Sequence, residues 1–500
     1  MGQIKSLAKD TAIYGISSIL GKMLNYLLVP LFTYKLASTS EYGIVTNVYA
    51  YVAFMVVVLT FGMETGFFRF VNKKEEYKPM EVFSTSLISV GLVVVAFLVL
   101  AITFLQPITG FINSFNPDSK ATIFDHYLLM MIIVVSMDAL SSIPFAYLRY
   151  QQKPIRFVIL KMLFIVLYML LCFFFLVICP VIHNNNPDLI AWFYNPNYGV
   201  GYILISNLIA TSIQTCCLFL ELKDFKCMFN KTLLNKMLHY CFPLLILGIA
   251  GIFNQIADKI LFPFLYPDKE AAMGELGIYG GCFKIAVIMV MFTQAFRYAY
   301  EPLVFARHKE KDNKKAYSEA MKYFIIFGLF IFLGVAFYID IIKYYIEPSY
   351  HEGLFVVPIV MIAELFFGIY FNLSFWYKLT DKTYWGAIFS IIGCAVIVIL
   401  NILFIPQYGY VACAWASFVG YLLIMLLSYF IGQRQYKIDY DLRSFFFYSI
   451  LAMVLFALGT RVEIDNIVLR LLYRTGLLAV YALVFVRTST PELRGMLQKK

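Results

Sequence analysis

About fourteen apolar runs, each roughly 20 to 28 residues long, follow one another through this 500-residue chain. A helix of that length crosses the roughly 30 Å hydrocarbon layer of a bilayer while satisfying its own backbone hydrogen bonds, whereas a barrel strand would need only about 10 alternating residues. With 61% hydrophobic and 14% charged residues, the composition lies outside the range of soluble domains. The expected fold is therefore an all-α integral membrane protein. Its spans fall near 11–36, 42–70, 82–106, 121–149, 155–179, 199–222, 237–263, 275–300, 320–341, 353–378, 383–404, 409–431, 443–461 and 465–486. No small-residue cleavage site follows a short apolar core after MGQIKSLAKD, so the first run is expected to stay as a span.

Basic residues orient these spans, because short cytoplasmic connections keep Lys and Arg while translocated ones lose them. Thirty of the 40 lie at the N-terminus, in every second connection and at the C-terminus, including Arg69, Lys73, Arg149, Lys153, Lys223, Lys382 and Arg434. The opposite connections hold Lys35, Lys120, Lys269, Lys343 and Arg461. Both termini are expected on the cytoplasmic side of a plasma (inner) membrane. The formal charge of +10 then follows from topology and is no sign of nucleic acid.

The chain also looks built twice. The stretch GKMLNYLLVPLFTYKLASTSEYG, from Gly21 to Gly43, returns in degenerate form as NQIADKILFPFLYPDKEAAMGELG, from Asn254 to Gly277. Pro263 then stands for Pro30, Asp258 for Asn25 and Gln255 for Lys22, and Glu41-Tyr-Gly-Ile44 returns as Glu275-Leu-Gly-Ile278. Internal repeats of membrane helices with polar residues at depth mark secondary transporters. Lys22 and Asn25 share one helical face, as do Gln255 and Asp258, with Lys259 beside them, so each half opens with a polar stripe. Pro30 and Pro263 are the expected hinges, since Pro removes a backbone hydrogen bond and obstructs the turn before it.

Further ionisable groups at depth are Lys284, Asp138 and Glu364, and each calls for a partner or a watery cavity. The structural alternative is a buried carboxyl held protonated by hydrogen bonds, or an Asp258–Lys259 couple that merely neutralises other buried groups. Against that couple, neighbours on a helix diverge by about 100° and do not share a face. Glu64, Arg297 and Glu301 lie nearer the span ends and read as interfacial, and Arg470 and Arg474 as snorkelling anchors. The nine Cys residues show no metal-ligand spacing, no P-loop or zinc signature occurs, and no catalytic residue, metal site or cofactor is expected.

Three stretches carry a family likeness. Gly21 to Pro30 with Ser40-Glu-Tyr-Gly43, the turn Ile405-Pro-Gln-Tyr-Gly-Tyr-Val-Ala-Cys-Ala-Trp-Ala-Ser417, and Asn197-Tyr-Gly-Val-Gly201 resemble the helix entries of the MOP superfamily, the multidrug, oligosaccharidyl-lipid and polysaccharide exporters. Ala412 and Cys413 replace the usual Gly and Ala. Within that superfamily the chain resembles the Wzx-type oligosaccharide flippases. The resemblance implies one six-helix lobe over 1–222, a second over 223–431 and two added helices in 432–500, with a cavity between the lobes. It also implies alternating access for a polyprenyl-diphosphate-linked oligosaccharide, whose anionic head Lys22, Lys259 and Lys284 would meet. The expected partners are that substrate, membrane lipid and a coupling proton or sodium ion, for a monomer that is no enzyme. A multidrug or cation antiporter would instead lean on Asp138, Asp258 and Glu364. A scaffold would explain the hydropathy but neither the repeat nor the charges at depth.

Overall fold

The computed structural model describes residues 20–497 apart from 22, 25, 74, 115–124, 223–224, 307–312, 381 and 463. Among the described residues, 13 helices are long and apolar enough to cross a membrane. A helical stretch formed by the described residues of 20–35, α1, precedes them and belongs to the first expected span, part of which lies outside the described residues. The next five are α2 (Thr39–Val71), α3 (Pro79–Thr103), α4 (Asp125–Tyr150), α5 (Pro154–Asn185) and α6 (Val200–Leu220). Then come α7 (Lys231–Leu265), α8 (Ala272–Ala306), α9 (Asn313–Phe337) and α10 (Pro348–Leu379). The last four are α11 (Tyr384–Tyr408), α12 (Tyr410–Gln435), α13 (Leu442–Arg461) and α14 (Ile467–Leu497). Each expected span from the second to the fourteenth coincides with one of these helices.

Helix ends follow local chemistry. The Asn230 side chain accepts from Leu233 N at 3.0 Å and caps α7, using a donor the first turn leaves orphaned. At the other end of α7, Lys269 Nζ donates to Pro263 O and Phe264 O at 3.2 and 2.9 Å, placing a cation where the helix dipole is negative. Between α11 and α12 the chain turns at Gly409 with φ 56, a left-handed conformation that suits a residue without Cβ. That glycine belongs to the Pro-Gln-Tyr-Gly turn singled out in the sequence.

Residue contacts group the chain into two compact units, Met1–Gly281 with Ser390–Ala416, and Cys282–Phe389 with Ser417–Lys500. In the first, α2 packs on α4 and α7, α3 on α4, and α6 on both α4 and α5. Its core gathers Met63, Phe67, Phe83, Val135, Ala139 and Met237, all 0 to 2% exposed. Near the end of that core Glu64 and Arg149 form an ion pair, and the Arg149 guanidinium lies 5.1 Å from the Phe68 ring. In the second unit α9 packs against α10, α13 and α14.

Arg470 and Arg474 are not snorkelling anchors. Arg474 is 9% exposed, its Nη1 donates to Asp340 Oδ2 at 2.7 Å and to Phe337 O at 3.1 Å, and its Nε donates to Gly459 O at 3.0 Å. Arg470 Nε also lies 3.0 Å from Asp340 Oδ2, out of line for a hydrogen bond. A cation this buried needs an anion and filled donors, and Asp340, just beyond the end of α9, supplies the anion. The pairing fastens α14 to α9 and α13 inside the second unit.

Candidate functional site

The polar stripe of the second repeat is a built cluster. Asp258 on α7 is 3% exposed and accepts from three donors: Tyr279 OH at 2.7 Å, Lys259 N at 2.9 Å and the Lys259 ammonium at 3.1 Å. Lys259 Nζ also donates to Gln255 O at 3.2 Å. The Cβ atoms of these adjacent residues point apart, but the four-carbon Lys259 stem spans the gap and folds back onto its neighbour. The result is a carboxylate–ammonium couple in which each charge is largely neutralised by the other. Asn47 on α2 donates to Lys259 O at 2.8 Å, and Asn254 donates to Ala250 O and Ser390 O at 2.9 and 3.0 Å, tying the same turn of α7 to α2 and α11.

The other expected residues are dispersed. The Gln255 side chain is exposed, with Nε2 at 3.5 Å from Gly251 O. Asp138 is half-buried on α4 and interacts electrostatically with Lys161 of α5, whose ammonium sits 4.1 Å from the Phe145 ring. In the second unit Lys284 is exposed on α8, while Glu364 on α10 is 9% exposed. Pro263 is buried inside α7, and Pro30 lies within α1, where Thr33 Oγ1 donates to Val29 O at 3.0 Å one turn back. Lys22 and Asn25 lie outside the described residues. Two participants carry no distinct signal in the sequence: Tyr279 is one of many tyrosines, and Lys161 lies near the start of α5, close to the basic residues of a cytoplasmic connection.

The two halves of the repeat also touch. An ideal Cβ on Gly43 would stand 1.9 Å from Met273 O and 3.2 Å from Gly277 N, and one on Gly277 would stand 1.9 Å from Thr39 O and 3.0 Å from Gly43 N. Thr39 precedes Gly43 by one turn as Met273 precedes Gly277, so the contact is the same from either side, an internal counterpart of a two-fold interface. Backbones meet this closely only where side chains are absent. Gly280 continues the seam, where a Cβ would lie 3.3 Å from Thr46 Cβ.

The fold is that of the MOP exporters. Over 95% of this chain and 99% of the other, it superposes on a lipid II flippase, MurJ, in an inward closed conformation, with TM-score 0.74 and 15% identity. An inward-facing multidrug resistance MATE family transporter of the MOP superfamily matches over 83% and 94% of the two chains, with TM-score 0.66 and 12% identity. The MATE multidrug transporter DinF-BH matches over 86% and 96%, with TM-score 0.60 and 17% identity. No curated protein sequence gives a significant match. Residues 7–299 match the polysaccharide biosynthesis protein family, and the chain belongs to that family.

Proposed function

We propose that this protein is a flippase that carries a polyprenyl-diphosphate-linked oligosaccharide from the cytoplasmic to the outer leaflet by alternating access, in a plasma membrane with both termini inside. The observation that carries this reading is the repeat-symmetric Gly43–Gly277 contact. A machine made of two related halves needs a seam that closes without interlocking side chains, and a bare backbone contact can part without breaking one. Membership of a polysaccharide biosynthesis family supports a glycan cargo, and the name of one structural neighbour, a lipid II flippase, supports a lipid-linked one.

In this reading the lobes are 1–222 and 223–431, and Pro30 and Pro263 are the bends that let them move. Lys22, Lys259 and Lys284 supply cations along the path, with Asn25 and Gln255 as polar lining. Lys259 reaches a diphosphate only by exchanging its bond to Asp258, which makes the couple a switchable contact, tight at rest and released by an anion. Asp138, Asp258 and Glu364 are the carboxylates available to a coupling proton or sodium ion. The working unit is a monomer, and the transport step involves no bond-making. A second reading, the multidrug or cation antiporter, draws on the same couple, since a cationic drug or ion at Asp258 would displace the Lys259 ammonium.

The test is translocation by the purified full chain in vesicles of a fluorescent polyprenyl-diphosphate oligosaccharide placed in one leaflet. Appearance of label in the other leaflet supports the flippase. Efflux of a cationic dye without glycan movement supports the antiporter instead.

A further inference from the structure

Several threonines in these helices return their hydroxyl to their own backbone one turn back, as Thr33, Thr60, Thr103 and Thr109 do at 2.7 to 3.0 Å. Thr293 on α8 does not. It is 7% exposed, and its Oγ1 is buried with no hydrogen-bond partner. A buried hydroxyl without a partner is unfavourable and is expected to serve a ligand or a water.

The Thr293 side chain lines a cleft inside the second unit together with Arg297 from α8 and Gly368, Asn372 and Lys378 from α10. Gly368 keeps the hydroxyl reachable, because a Cβ there would stand 2.8 Å from Thr293 Oγ1. The Arg297 guanidinium lies 5.0 Å from the Phe371 ring, and Lys378 Nζ lies 5.1 Å from the Phe375 ring, so both cations are held over phenyl faces. Among the described residues, no carboxylate lines the cleft. Its enclosed part measures about 10 Å³, room for one water-sized oxygen.

Position alone accounts for the two cations, since in the proposed topology both sit toward cytoplasmic ends. It does not account for a buried, unpartnered hydroxyl beside a glycine between them. We propose that this cleft is an oxyanion site for a phosphate of a lipid-linked diphosphate, one oxygen entering against Thr293 while Arg297 and Lys378 meet the charge at the mouth. The assignment rests on the flippase reading and adds to it a further contact in the second unit, apart from Lys259 and Lys284. A guanidinium suits a phosphate because its paired N–H groups match two oxygens, and an ammonium adds a point charge.

The experiment measures binding of farnesyl diphosphate, inorganic pyrophosphate and farnesol to the purified full chain in detergent. The unsubstituted protein should bind farnesyl diphosphate, and pyrophosphate should compete with it. Arg297→Gln with Lys378→Gln should weaken farnesyl diphosphate by about tenfold or more while leaving farnesol unaffected. Thr293→Val, which keeps the shape and removes the hydroxyl, should weaken it several-fold with an unchanged melting temperature. Equal affinity in the substituted proteins, or farnesol binding as tightly as its diphosphate, would overturn the site. Pyrophosphate binding without farnesyl diphosphate binding would overturn the lipid-linked assignment. If the variants lose binding as expected but the unsubstituted protein moves no lipid-linked glycan in vesicles, the site stands and the flippase reading fails.

Discussion

Gly43 and Gly277 occupy equivalent places in the two halves of the repeat, and they meet each other: each would drive a Cβ to 1.9 Å from the carbonyl oxygen one turn before its counterpart. Gly43→Ala or Gly277→Ala must therefore spread α2 from α8. Overpacking of this kind costs about 1–3 kcal/mol in the closed arrangement and leaves an open one untouched. We expect each substitution to reduce glycan export by about tenfold or more, with the protein still inserted. Export at the unsubstituted rate from Gly277→Ala would show that the seam does not matter.

Asp258 and Lys259 should behave as a unit. Asp258→Asn leaves a buried ammonium with neutral partners and is expected to destabilise the protein by about 3–5 kcal/mol, whereas Asp258→Asn with Lys259→Gln should recover much of that loss. Thermal unfolding in detergent reads both. Export should be lost in Lys259→Ala and in Lys259→Glu, and partly retained in Lys259→Arg. Strictly additive stability losses would rule out the coupling.

Arg474→Ala removes the main partner of Asp340 and opens the bonds to Phe337 O and Gly459 O. The expected loss is about 3–5 kcal/mol, with Arg470→Ala milder because its side chain is 28% exposed and out of line for a hydrogen bond. Comparable melting temperatures for Arg474→Ala and the unsubstituted protein would remove the fastening role of α14.

Much of this molecule was legible in its sequence, for reasons that also set the limits. Hydropathy and helical rise locate the spans, because a bilayer imposes one length on every helix, and the repeat could be seen because Pro30 and Gly43 keep their spacing to within one residue in Pro263 and Gly277. Pairings that depend on side-chain reach or on distant partners could not be read. Lys259 folds onto its neighbour although the two Cβ atoms diverge, and Asp340 lies more than a hundred residues from Arg474. Thr293 gave no signal at all, since a threonine in a membrane helix is ordinary until its hydroxyl is seen to lack a partner. That Gly43 and Gly277 correspond was visible, but that they touch was not.

The proposed orientation is checked by labelling single cysteines with an impermeant reagent in a background without the nine native ones. Leu189 and Lys437 are both exposed, in opposite connections of the proposed topology. Leu189→Cys should react in intact cells and Lys437→Cys only after lysis. The reverse pattern would invert the direction of transport as well as the topology.

Transport through a seam that opens is tested most directly by locking that seam. A Cβ at position 280 would lie 3.3 Å from Thr46 Cβ, close to the separation across a disulfide. Thr46→Cys with Gly280→Cys, in a background without other cysteines, should crosslink on mild oxidation and stop movement of a lipid-linked oligosaccharide across vesicles, and reductant should restore it. Full transport by the crosslinked protein would contradict the proposal that the two halves part during each cycle.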